Sequence, residues 1–115
     1  MQYDSQYDQY HYLRQQEIIE SWQKHDYTIQ LNKRLRSVLI ALNWHKNIFV
    51  SKCNELSNDS IKSLRNSFKK YLNEVKDIDT KLKLIGIESK RVQTIKNKID
   101  ILIIKTYDYE NKRNC

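Results

Sequence analysis

The chain has 115 residues, a formal net charge of +7 at pH 7, one glycine and no proline. That length holds one domain at most and is enough to bury a core unaided. Proline and glycine cost about 3 and 1 kcal/mol in a helix interior and supply most of the turn chemistry of β proteins, so a chain almost without them reads as nearly all helix.

The first segment, residues 1–27, is acidic and rich in tyrosine. Through residue 30 it carries Asp4, Asp8, Glu17, Glu20 and Asp26 against Arg14 and Lys24, a net of −3, while the remainder of the chain is basic. Tyr3, Tyr7 and Tyr10 follow a helical step, as do Ile18, Trp22, His25 and Ile29. Asp26 or Thr28 has the side chain to cap a fresh helix, which predicts a short separate helix over 8–25. A single continuous helix to residue 54 is the alternative, and the pattern does not choose between them. The composition also suits a segment that folds on a partner, with Tyr3, Tyr7, Tyr10 and Trp22 as its contacts.

Residues 28–56 predict a long helix. Leu31, Leu35, Val38, Leu42, His45, Phe49 and Leu56 form its main apolar stripe. Ile40 and Trp44 lie 160° to 200° around from that stripe, with Ile48 bordering them. One partner helix cannot cover both sides. Internal burial beneath another segment is the common outcome for such residues, but exposed tryptophan beside isoleucine is also what marks a protein-interaction patch.

The boundary Ser57-Asn58-Asp59-Ser60 consists of four residues able to accept the orphan amides of a new helix. The helix it opens, 60–85, places apolar residues at 61, 64, 68, 71, 75, 78, 82 and 85, in steps of three and four. This is a narrow seam of the coiled-coil kind. Lys62, Lys69, Lys76 and Lys83 recur every seven residues, about 10.5 Å apart, with Arg65 beside them. The row is either a solvated outer face or a ridge for phosphates. Lys90, Arg91, Lys96 and Lys98 carry the charge onto the next helix. No aromatic residues interleave with the lysines, so bases have no platform to stack on.

Gly86 stands where a left-handed residue stops a helix, with Leu82 and Ile87 as the apolar pair of a Schellman stop. Ser89 then caps a last helix, 89–109, whose core face is Val92, Ile95, Ile99 and Leu102, widened by Ile101, Ile103 and Ile104. Residues 110–115 read as a polar tail.

Little in this chain points to chemistry. There is no Cys-x-x-Cys and no His-x-x-x-His, so neither a metal nor another cofactor is expected. His45 and Cys53 point about 80° apart on one helix, a poor nucleophile–base pair. One glycine cannot make a phosphate-cradling loop. The longest apolar runs, Val38–Leu42 and Ile101–Ile104, fall far short of the roughly 20 residues of a membrane span. The front has no secretory character, and Cys53 and Cys115 are expected as thiols in an intracellular setting, cytoplasmic or nuclear.

The expectation is therefore a single all-α domain, residues 1–115. Its architecture is an antiparallel helical bundle of three long helices with a short fourth at the front. Its expected function is that of a non-enzymatic interaction module: a small subunit, adaptor or inhibitor that docks on a larger protein or pairs with itself. The alternative is a nucleic-acid-binding accessory protein using Lys62, Arg65, Lys69, Lys76 and Lys83. No membrane or small-molecule substrate is expected as a partner.

Overall fold

The structure is a computed structural model that describes the backbone of residues 2–114 and the side chains of residues 22–112. Its elements are α1 (Gln2–Lys52), α2 (Asn58–Leu84) and α3 (Lys90–Asn114), with no strand among the described residues. The all-α class inferred from the scarcity of glycine and proline is the class found. No described helix is long and apolar enough to cross a membrane.

The first helix runs as one element from Gln2 to Lys52, the continuous alternative, in place of a separate short helix over 8–25. The reason is visible at Thr28. Its hydroxyl does not cap a new helix but donates back to the Lys24 carbonyl at 2.8 Å, a bond made inside an unbroken helix.

The chain divides into two units, Met1–Asn32 and Lys33–Cys115, each described by itself. In the first, Trp22, Tyr27 and Ile29 are exposed. In the second, Leu35, Val38, Leu42 and Phe49 of α1 are buried together with seven apolar residues of α2 and with Val92, Ile95, Ile99 and Leu102 of α3. The Phe49 ring meets Phe68 edge-on at 6.4 Å and Tyr109 at 6.3 Å, tying the end of α1 to both other helices.

The α2 seam departs from its predicted register at two places. Leu72 is buried while Tyr71 and Ile85 are only half-buried. The other expected positions, Ile61, Leu64, Phe68, Val75, Ile78 and Leu82, are all buried, so the seam keeps its register on both sides of this exchange. Tyr71 is left at the edge, where its hydroxyl is 2.9 Å from His45 Nδ1.

Both turns follow their local chemistry. Ser57 is the N-cap of α2, its Oγ accepting from the Ser60 amide at 3.1 Å. At the other end the Ile87 amide donates to the Leu82 carbonyl and the Gly86 amide to that of Lys83, both at 2.9 Å, with Gly86 at φ 80°. Ser89 Oγ accepts from the Val92 amide at 3.3 Å to open α3. That helix continues to Asn114, past the stop expected at 109, because Glu110 is anchored instead of dangling in a tail.

Candidate functional site

Arg65 was expected among the exposed cations, and the structure corrects this: only 6 % of it is accessible. Nε donates to Thr106 Oγ1 at 3.0 Å, Nη2 meets Glu110 Oε2 at 2.6 Å, and the guanidinium lies 3.7 Å above the Tyr107 ring. Thr106, itself fully buried, donates its hydroxyl to the Ile103 carbonyl at 2.6 Å. The residue is a clasp between α2 and α3, closed to a phosphate.

Two lysines of the row have polar partners at the surface. Lys69 Nζ donates to the Tyr107 hydroxyl at 2.9 Å, and that bond holds the Tyr107 phenol below its ordinary range. Lys83 Nζ lies 3.1 Å from Asp79 Oδ2, an oxygen that also receives Lys96 and Gln93. Burial pushes the Asp79 carboxyl up, but these three donors outweigh it and hold the group below its usual value. All four lysines of the row are exposed.

On α1, Ile40 is 67 % and Trp44 64 % accessible on adjacent turns of the helix. Ile48 is half-buried beside them. The Trp44 ring stands edge-on to His45 at 5.0 Å. His45 Nδ1 is 2.9 Å from both the Ala41 carbonyl and the Tyr71 hydroxyl. Burial, then the Glu74 charge, raises the Tyr71 phenol above its ordinary value, keeping that neighbour neutral. Trp44 and Ile48 border a shallow hollow of about 260 Å³ closed by Leu56, Leu64 and three α2 serines. Trp22 is exposed in the first unit, whereas the side chains of Tyr3, Tyr7 and Tyr10 lie outside the described residues.

A larger groove, about 660 Å³, runs between α1 and α3. Leu39, Leu42, Ile95, Ile101 and Leu102 make its apolar floor; Lys46, Arg91, Lys98 and Lys105 stand along its edges. All four cations are exposed, none is in an ion pair among the described residues, and no acid lines the groove. Arg91 and Lys98 were expected to extend the basic charge onto α3, but Lys46, Lys105 and the groove itself were not anticipated. The signal was present, since Arg91, Lys98, Lys105 and Lys112 also recur every seven residues.

Among the described residues no group of three or more histidines, cysteines and acids stands together to hold a metal ion. Comparison of the chain with protein-family models, curated proteins and solved structures returned no match.

Proposed function

We propose that this chain is a non-enzymatic protein-interaction module, built as an antiparallel three-helix bundle with coiled-coil-like seams. The architecture is supported by paired contacts whose numbers run in opposite directions: Arg34 with Asp77, His45 with Tyr71 and Phe49 with Phe68 between α1 and α2, then Arg65 with Thr106 and Asp79 with Gln93 between α2 and α3.

The observation that carries the function is the exposure of Ile40 and Trp44 on neighbouring turns, next to the hollow bordered by Ile48. Burying a large apolar side chain is worth about 1.5–3 kcal/mol, which is the incentive to bind. The role is that of a small subunit, adaptor or inhibitor seated on a larger protein or on a second copy. Trp44→Ala tests it by cross-linking in cells and sedimentation of the pure protein. Association should fall while helical ellipticity stays unchanged, and a variant that keeps every association of the wild type sinks the reading.

A second reading, a nucleic-acid accessory protein, draws on the unpaired seven-residue row of α3 together with exposed Lys62 and Lys76. Each phosphate neutralised would steepen the salt dependence of binding by about 0.9 in log–log slope. Reversing the charge of Lys62 and Lys76 together with Arg91 and Lys98 should then abolish binding to duplex DNA or RNA.

A further inference from the structure

We propose that the groove between α1 and α3 receives the acidic front segment, residues 1–30, of a second copy of this chain. The inference rests on the interaction-module reading and names one partner for it.

The groove is chemically one-sided. Its floor of Leu42, Ile95 and Leu102 asks for apolar side chains, and Ile101 leaves half of its own surface uncovered there (51 %). Its edges carry four cations with no acid among them. An occupant must therefore present an apolar face with negative charge on both flanks. Arg91, Lys98 and Lys105 stand seven residues apart and span about 21 Å of α3, too long a row for the single head group of a fatty acid. A phosphodiester strand matches the charge but has no apolar side to lay on five leucines and isoleucines. An amphipathic acidic helix matches both, and a groove between two helices is where a further helix seats its ridge.

The chain itself carries such a segment. Residues 1–30 hold five acids against two cations, with Ile18, Trp22 and Ile29 at helical spacing. Trp22 is 69 % exposed, and Tyr27 and Ile29 are exposed with it, so this segment has apolar surface of its own to cover. On a helix Asp26 lies about 60° to one side of the line of Ile18, Trp22 and Ile29 and Glu17 about 120° to the other, so an acid stands on each flank of that apolar face. Two copies exchanging fronts reciprocally form an isologous, closed dimer.

The test is a charge exchange in the full-length protein, read by sedimentation equilibrium. One variant carries Lys98→Glu and Lys105→Glu; the other carries Glu17→Lys, Glu20→Lys and Asp26→Lys. The wild type should dimerise with an affinity that weakens as salt rises. Each variant alone should lose about tenfold or more in affinity at unchanged helical ellipticity, and an equimolar mixture should pair again, because each acidic front then meets a basic groove and each basic front an acidic one. A wild type that stays monomeric, variants that dimerise as it does, or a mixture that fails to pair would each overturn the proposal. So would a monomer that takes up dodecanoate or an unrelated acidic helix in a Lys98-dependent way. Failure here leaves the Ile40–Trp44 reading standing, since that one answers to Trp44→Ala.

Discussion

Replacing Arg65 with methionine should cost about 3 kcal/mol. The substitution keeps the length of the stem but strips three interactions at once: the bond to Thr106, the ion pair with Glu110 and the stacking on Tyr107. Breaking one side of a buried pair costs roughly 3–5 kcal/mol, because the carboxylate left behind keeps its desolvation penalty. Here the low end applies, since the Glu110 side chain retains 14 % exposure and can turn outward. Glu110 Oε1 is buried without a hydrogen-bond partner even in the wild type, so the site has no second donor to soften the loss. Urea denaturation followed by far-UV ellipticity measures the cost, and heating should lower the midpoint on the order of 10 °C. The double variant Arg65→Met with Glu110→Leu should regain most of the loss, as apolar replacement of a whole buried pair is often neutral. A single-variant loss under about 1 kcal/mol, or a double variant no better than the single, would refute the buried-clasp account.

Gly86→Ala should cost about 1–2 kcal/mol through the backbone alone, because φ is 80° and nothing lies within 4 Å of an added Cβ. Asparagine at the same position should cost less, and equal stability of glycine, alanine and asparagine in urea would refute the left-handed stop. The Asp79 carboxyl is held below its unfolded value of about 3.9, so its contribution is present above that pH and is lost as acidification passes the lower folded value. Asp79→Asn should flatten that part of the acid limb in a pH series of urea midpoints. An unchanged limb would mean that Lys83, Lys96 and Gln93 do not act on this group.

What the sequence made legible was local. Ser57, Gly86 and Ser89 were readable because a cap or a stop is decided within five residues by side-chain oxygens and a positive φ. The buried faces were readable because their spacing is set by helix geometry. Arg65 was misread because its partners Thr106 and Glu110 lie 41 and 45 positions on, and the heptad of α2 says only that it flanks the seam, at the position next to Leu64, without naming what it meets there. The groove was missed for a related reason: its floor and its cations come from α1 and α3, and no window along the chain holds both. Continuity at Thr28 was left open for a simpler reason, since a threonine able to cap is equally able to bond backward within a helix.

The five residues between Leu84 and Lys90 have a consequence for how quickly the molecule assembles. A closure that short is reached in well under a microsecond and loses little chain entropy. α2 and α3 approach each other closely along their backbones, so this pair is the natural nucleus, and α1 docks afterwards. Strain placed at Gly86 should therefore slow refolding, whereas truncating Phe49 should chiefly hasten unfolding.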